Sequence, residues 1–244
     1  MGKKISAVIS CYLPRGHEKA IALALALKNL VSEVVLVINS DSVSDLKTEV
    51  YKDFLIAIRP NLGMNIGAWG CGLNLINPKH SAICLQDECE IVDEGFPAKY
   101  QSLFDDEKVG MVGESLNPKW DLRWQQLSES ALNYRVHHPE HGEISRVDLY
   151  LLLMKTWGVT VGPTGRHLRA LVWGFNANIC QHLRELPCGR TKEECIAAEI
   201  AVSHLVQNNL GREVVQSGRR HFSYLSHPEW APDGWAKSST RKVY

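Results

Sequence analysis

Acidic side chains follow a short apolar segment in the first half of the chain. The segment Ala82 to Leu85 has the composition of a buried strand, and it ends at Gln86, Asp87, Glu88 and Glu90. In open α/β sheets, ligands bind beyond the carboxyl ends of the strands. Carboxylate oxygens at that edge suit Mg²⁺ or Mn²⁺ chelated jointly by the protein and a substrate diphosphate. The pattern therefore predicts an ion and diphosphate site, and a solvated acidic turn is the alternative.

Segments before these acids predict alternating strands and helices. Ile5 to Ser10 predicts a strand, Glu18 to Leu30 a helix, Glu33 to Asn39 a second strand and Phe54 to Ile58 a third. A β-α-β unit of this kind makes a right-handed crossover and a parallel pair of strands. Asp41, just past the second strand, is placed to accept hydrogen bonds from a base or ribose, although the segment Asn39 to Ser42 taken alone predicts a turn.

Glycines and amides recur between Arg59 and Asn74, ahead of a helical stretch predicted to end near Ile76. Glycine lets the backbone approach a ligand, Asn65 is suited to cap a helix, and a helix N-terminus favours an anion. Neither the dinucleotide fingerprint Gly-x-Gly-x-x-Gly nor the Walker lysine motif fits this segment. The sequence therefore predicts ligand binding here without a standard nucleotide loop.

Composition sets the class of protein. The chain has 244 residues, 45% hydrophobic and 22% charged, which is enough for one globular domain with a full core. Lys plus Arg equals Asp plus Glu at 27 each, so no bulk charge attracts nucleic acid, and we expect no nucleic-acid partner. Seven cysteines without a Cys-x-x-Cys pair indicate reduced thiols and a cytoplasmic location. No apolar run has the length of a membrane span, and the first residues lack a signal-peptide pattern.

The order and spacing of these motifs in the first half of the chain resemble the inverting GT-A glycosyltransferases of family 2. The resemblance rests on Asp41, on the segment Asn61-x-Gly63-x-Asn65-x-Gly67-Ala68 and on the segment Leu85 to Ile91. In that family, the acids at the strand end form the DxD motif, which binds the metal and the sugar-nucleotide diphosphate. Gln86 replaces the first Asp of the motif here, and the loss of one charge is expected to weaken metal affinity.

The resemblance implies a fold and a set of site residues. The fold is a GT-A, Rossmann-like α/β architecture with a mostly parallel central sheet flanked by helices. The implied nucleotide-sugar contacts are Asp41, Asn61, Asn65, Gly67, Gln86 and Asp87, and the implied Mn²⁺ or Mg²⁺ ligands are Glu88 and His227. His221 is the alternative to His227, which is preferred because Pro228 fixes the adjacent backbone.

The implied catalytic base lies on the chain's best-marked helix. Thr191 to Glu194 is a capping box, apolar positions recur to Leu210, and Gly211 ends the helix. Glu199 falls near the position of the family's acidic pair, although its neighbour is Ile200 rather than a second acid. A surface glutamate at 199, or Glu194 acting as the base, are the alternatives.

Two further segments carry predictions. Val147 to Met154 is almost continuously apolar and predicts a covered strand. Asn117 to Glu143 is irregular and contains Trp120 and Trp124, whose indoles, if exposed, would stack on sugar faces and form an acceptor lid.

These features predict an enzyme that moves a sugar from a nucleotide-sugar donor to a hydroxyl acceptor with inversion. Glu199 would remove the acceptor proton in a direct displacement, and a metal at Asp87 and Glu88 would stabilise the departing diphosphate. The acceptor would be a glycan or a lipid-linked glycan. One alternative is a sugar-phosphate nucleotidyltransferase, whose Gly-rich basic loop the segment Leu13 to Gly16 matches poorly. Another is a catalytically inactive carbohydrate-binding scaffold, supported by Gln86.

The predicted domain organisation is a single glycosyltransferase domain over residues 1–230 and a flexible tail over 231–244. The tail contains Trp235, Lys237, Arg241 and Lys242. These side chains suggest peripheral contact with the inner face of an anionic membrane that holds a lipid-linked acceptor.

Overall fold

The computed structural model of the protein describes residues 4–183 and 185–228. The strands are β1 (Ile5–Tyr12), β2 (Glu33–Ser40), β3 (Lys47–Tyr51), β4 (Phe54–Pro60), β5 (Ser81–Gln86), β6 (Glu90–Ile91), β7 (Val109–Gly113), β8 (Arg135–His138), β9 (Gly142–Ser145), β10 (Val172–Phe175), β11 (Glu213–Gln216) and β12 (Leu225–Ser226). The helices are α1 (Glu18–Leu27), α2 (Met64–Leu73), α3 (Phe96–Phe104), α4 (Trp124–Ser128), α5 (Arg146–Thr156), α6 (Ala177–Cys180) and α7 (Lys192–His204). The predicted tail, 231–244, lies outside the described residues.

Most strands of the central sheet run parallel. In the described part of the chain this sheet has eight strands in the order β11-β7-β10-β5-β1-β2-β4-β3. β1 pairs in parallel with β2 and β5, β2 with β4, and β7 with β11. Strands β1, β2 and β5 are buried along almost their whole length because helices cover both faces of the sheet. The predicted α/β class with a mostly parallel sheet is confirmed.

Small residues let α2 lie close to the sheet. A Cβ on Gly72 would lie 2.2 Å from Val8 Cγ1, so no larger residue fits at this position without a shift. The neighbouring Trp69 is fully buried, and its indole N–H donates to the Leu85 carbonyl at 3.0 Å. This bond connects α2 to the carboxyl end of β5, directly before the acidic residues.

The apolar segment from 147 to 154 is helical, so the predicted strand is wrong. Ser145 caps α5 by accepting a hydrogen bond from the Asp148 N–H at 3.2 Å. Val147, Tyr150 and Met154 are buried at helical spacing. A continuous apolar run looks the same in a buried strand and in a buried helix, so periodicity did not separate them.

Two antiparallel strands of the central sheet were not predicted. β3, whose side chains are all exposed, forms a hairpin with β4 through Lys52 and Asp53, which have φ of 44° and 72°. β10 lies between β5 and β7 and is antiparallel to both. Because β10 runs the opposite way, its first residues lie at the edge where β1, β2, β4 and β5 end.

The two tryptophans of the 117–143 segment do not form an exposed lid. Trp120 is 4% exposed and stacks on Tyr150 with ring centroids 5.5 Å apart. The Trp124 indole N–H donates to the Gly162 carbonyl at 2.8 Å. Trp120 is therefore not available to stack on a sugar, and the predicted surface is wrong for it. Trp124 is partly buried, with its N–H group bonded to the protein.

No helix in residues 4–183 and 185–228 is long and apolar enough to cross a membrane.

Candidate active site

A cleft of about 780 Å³ opens at the carboxyl edge of the parallel strands. The loop after β1, the first turn of α2, the end of β5, the loop before β10 and one face of α7 line it. This volume lies within the range of about 300–1,000 Å³ that is typical of small-molecule sites. The cleft is therefore the candidate site. Four of the nine site residues predicted from the sequence line it, Asn65, Gln86, Glu88 and Glu199, together with Pro228, the neighbour of His227.

Gln86 forms hydrogen bonds through both ends of its amide. Its Nε2 donates to the Ala170 carbonyl at 2.6 Å, and its Oε1 lies 3.2 Å from His227 Nε2. Because the amide nitrogen faces a carbonyl, Oε1 must be the acceptor, and His227 Nε2 must carry the hydrogen. An Asp at this position would have no hydrogen to donate to Ala170. Gln86 therefore makes a contact with the Ala170 carbonyl that an Asp could not make.

Glu199 is held at the wall of the cleft. Its Oε1 accepts a hydrogen bond from the Ala170 N–H at 3.0 Å and lies 3.6 Å from His167 Nε2. Lys192 and Glu199 are seven residues apart on α7 and line the same cleft, so they share one helix face. Glu199 is therefore partly buried and attached to the loop before β10, and its role as the base stays a prediction. The backbone N–H and C=O of Ala170 thus connect Glu199 and Gln86, residues that are far apart in the sequence.

Glu194 has a capping role instead. Its Oε2 accepts from the N–H groups of Thr191, at 3.3 Å, and Arg190, while its Oε1 lies 2.8 Å from His138 Nε2. Partial burial acts to raise the pKa of Glu194, but the Arg190 N–H and His138 outweigh it and lower that pKa. Glu194 does not line the cleft, so its position does not support a role as the base.

Asp41 and Asn61 lie together at the ends of β2 and β4. Asp41 Oδ1 accepts from Asn61 Nδ2 at 3.1 Å, and Asp41 Oδ2 accepts from the Tyr12 hydroxyl at 2.5 Å. The bond to Asp41 raises the pKa of Tyr12. Tyr12 was not predicted, because an aromatic residue at a strand end has no distinctive signal. The three side chains are on the sheet edge that holds the cleft, and a nucleoside contact there stays a prediction.

The N-cap of α2 is Gly63 rather than Asn65, which corrects the prediction. Gly63 has φ of 74° and provides no side-chain cap, so the first-turn N–H groups face the cleft uncapped. Asn65 lies in the first turn and accepts from the Ser10 hydroxyl at 3.1 Å. Gly67 does not line the cleft. A Cβ on Gly67 would lie 1.9 Å from the Leu62 carbonyl oxygen. Packing therefore requires this glycine.

Asp87 and Glu88 face different surroundings. Asp87 is half-buried near Cys11, and burial raises the pKa of Asp87. Burial and the Asp87 charge likewise raise the pKa of the Cys11 thiol to about 12. Glu88 lines the cleft, and its Oε2 lies 3.9 Å from His227 Nε2. His227, rather than His221, is the histidine next to the acids.

The predicted pair of metal ligands does not fit a divalent ion in this arrangement. Among the described residues, no group of three or more His, Cys, Asp or Glu side chains is placed to hold a metal. His227 Nε2, the ring nitrogen 3.9 Å from Glu88, carries a hydrogen toward Gln86 and so offers no lone pair to an ion beside Glu88. Glu88 is then the one member of the predicted pair left as a ligand, and a single carboxylate is a small protein contribution to a Mg²⁺ site. Dependence on Mn²⁺ or Mg²⁺ stays a prediction.

Cations in the cleft were not predicted as site residues. Arg15, Arg169 and Lys192 line it together with the carboxylates of Glu88 and Glu199. Arg15 follows β1, and Lys192 begins a capped helix, so both had a positional signal. Arg169 precedes the unpredicted strand β10 and had none. The positive charges make the cleft suitable for an anionic ligand.

Comparisons with known proteins give no family. No family model matches the chain, and no curated protein matches it. Among solved structures, the chain is similar to CMP:2-keto-3-deoxy-manno-octonic acid synthetase complexed with CTP, at 12% identity and a TM-score of 0.45. The match covers 88% of this chain and 89% of that chain. At this level the similarity supports no conclusion about activity, which must be argued from the cleft.

Proposed function

We propose that the protein is an enzyme that transfers a sugar from a nucleotide-sugar donor to a hydroxyl acceptor with inversion. The observation that supports this most directly is the placement of Glu199. Its carboxylate lies in the same cleft as Gln86 and Glu88, and the backbone N–H and C=O of Ala170 connect it to Gln86. A positioned carboxylate opposite a strand-end donor site is the arrangement that direct displacement needs.

The reaction is one displacement at the sugar's anomeric carbon. The acceptor oxygen forms a bond to this carbon, and the bond from the carbon to the donor diphosphate oxygen breaks on the opposite side. Glu199 takes the acceptor's proton, and the nucleoside diphosphate leaves with the bonding electron pair. Since the Ala170 N–H holds Glu199 Oε1, Oε2 is the oxygen available for the proton.

The donor's nucleoside is proposed to contact Asp41 and Asn61, and Asn65 to lie near its phosphates. The acceptor is proposed to be a glycan or lipid-linked glycan. These assignments are supported by the position of the three residues at the carboxyl edge of the sheet.

A sugar nucleotidyltransferase is the second candidate, and Arg15 favours it. In that reaction a sugar oxygen attacks the α-phosphate of a nucleoside triphosphate, and pyrophosphate leaves. A cation after the first strand is the feature expected for this chemistry, and Arg15 does line the cleft. The products separate the two candidates, because one releases a nucleoside diphosphate and the other releases pyrophosphate.

The test is a panel of substrates with product analysis. UDP-, GDP- and dTDP-sugars are incubated with simple glycoside acceptors, and nucleoside triphosphates with sugar phosphates and sugar acids. We expect release of a nucleoside diphosphate from a nucleotide sugar. Glu199→Gln should lower transfer roughly a hundredfold or more, the scale of general-base loss, with donor binding unchanged.

The control is Glu140→Gln, because Glu140 is exposed and lies outside the cleft. It should retain full transfer. Pyrophosphate release from a triphosphate, without turnover of any nucleotide sugar, would replace the main proposal with the second candidate. Full transfer by Glu199→Gln would remove Glu199 from the mechanism.

A further inference from the structure

We propose that the donor's diphosphate is bound by the protein's own positive groups, Arg15, Arg169, Lys192 and the start of α2, and that no divalent ion is needed. This inference rests on the proposed function and deepens it by identifying what takes the place of a metal. It follows from the donor atoms left free at the strand-end acids and from the charges around them.

The side chains in the predicted metal position leave one carboxylate facing the cleft. Gln86 uses its amide to join Ala170 and His227, and this bond directs a hydrogen of His227 toward Gln86. Asp87 is half-buried beside Cys11 and does not line the cleft. Glu88 is the carboxylate that remains. A divalent ion held by one carboxylate would depend almost wholly on the substrate's own oxygens.

Two exposed cations, Lys192 and Arg15, lie at the cleft. Lys192 is the first residue of α7, Arg15 ends the short turn after β1, and both are exposed at the cleft. Neither forms an ion pair with a carboxylate of the described residues. Binding a phosphate would therefore not require them to leave an existing ion-pair partner.

Arg169 occupies a more enclosed position. It is half-buried on the loop before β10, next to the residue that joins Gln86 and Glu199. Charges interact more strongly where water is partly excluded. An arginine there also offers a planar set of donors that matches two phosphate oxygens.

The backbone N–H groups at the start of α2 also lie at the cleft. The ten-residue helix α2 begins at the cleft, and its N-cap Gly63 provides no side chain to the first-turn N–H groups. Those groups and the helix dipole favour a negative charge. Together with the three cations, they surround the region where the leaving diphosphate gains one negative charge as the sugar departs.

The experiment is calorimetric titration with UDP, GDP, CDP and dTDP, first in EDTA and then with Mn²⁺. We expect the diphosphate that binds to do so in EDTA, with its Kd changed less than about threefold by Mn²⁺. Arg169→Gln and Lys192→Gln should each weaken binding roughly tenfold or more in EDTA, the scale of a lost charge-assisted hydrogen bond. Arg169→Lys should weaken it less.

The control is Lys155→Gln, because Lys155 is exposed on α5 outside the cleft. It should leave the Kd unchanged. If Arg169→Gln does not fold, the exposed Lys192 still provides the test. Binding that appears with Mn²⁺ and disappears in EDTA would overturn this inference and leave the proposed function intact. Failure of all four nucleoside diphosphates to bind under both conditions would overturn both.

Discussion

Arg146 is expected to hold the first turn of α7 in place. Its Nε donates to Glu193 Oε2 at 2.8 Å and to the Tyr150 hydroxyl at 2.6 Å. Its guanidinium lies over the rings of Trp120, at 5.4 Å, and Tyr134, at 4.9 Å. Arg146→Met keeps most of the packing against these rings but removes the charge. Glu193 is then left without its cation in a largely enclosed site.

The expected loss of stability is about 3 kcal/mol. Removing one partner of a buried ion pair costs about 3–5 kcal/mol, and the lower end applies because the Glu193 side chain is 20% exposed. For a chain of this size, each kcal/mol lowers the melting temperature by about 2–4 °C, so the expected decrease is roughly 6–12 °C. Adding Glu193→Gln to Arg146→Met should restore part of this loss, because the unpaired carboxylate disappears.

The assay is thermal unfolding followed by circular dichroism for the two single variants and the double variant. Arg166→Met is the matched control, since Arg166 and Asp121 are each 47% exposed and 3.8 Å apart, and such a pair contributes about 1 kcal/mol or less. A decrease of only about 2 °C for Arg146→Met would refute the reasoning. Simple additivity of the two substitutions would refute it as well.

Three other changes test the packing and the titration of buried groups. Glu114 is fully buried and accepts three hydrogen bonds. Glu114→Gln places an amide N–H group against one of these donors, so it should lower the free energy of unfolding in urea by about 1–3 kcal/mol. An unchanged urea midpoint would contradict this. Gly67→Ala should lower the melting temperature despite alanine's helix preference of about 1 kcal/mol, because its Cβ would lie 1.9 Å from the Leu62 carbonyl oxygen; a higher melting temperature would show that the loop yields easily. Burial, and then the charge of His167, lower the pKa of His204 from 6.5 to about 4, so the unfolded chain binds more protons between these values and stability should fall as pH decreases through that window. His204→Gln should flatten that part of the pH profile, and parallel profiles for the two proteins would exclude His204 as the cause.

The parallel half of the sheet was predictable from the sequence, and the antiparallel strands were not. β1, β2, β4 and β5 are short apolar runs that end in turn residues, which is a pattern that local sequence contains. β10 has four residues, and its place between β5 and β7 depends on long-range pairing. Its reversed direction cannot be read from composition.

The candidate site shows the same division. The acids after β5 and Glu199 were found from their positions along the chain. The contact between Gln86 and Glu199 was not found, because it runs through the backbone of Ala170, where the side chain has no polar group to signal it. Arg169 was missed for a related reason: it lies beside an unpredicted strand, and a single arginine in a loop has many uses.

The hydrogen bond from Gln86 to the Ala170 carbonyl also constrains the order in which mutations can accumulate. A single change of Gln86 to Asp would remove the donor to the Ala170 carbonyl oxygen, which now lies 2.6 Å from the amide nitrogen, and the shorter side chain would leave that oxygen without this bond. Since the partner is a main-chain carbonyl, no replacement of the Ala170 side chain compensates for the change. A second change in the loop before β10 would have to give this carbonyl another donor or turn it toward solvent. In a directed-evolution experiment that selects for an acid at position 86, substitutions in residues 168–171 should therefore appear before the acid, and the reverse order should be lost as unstable intermediates.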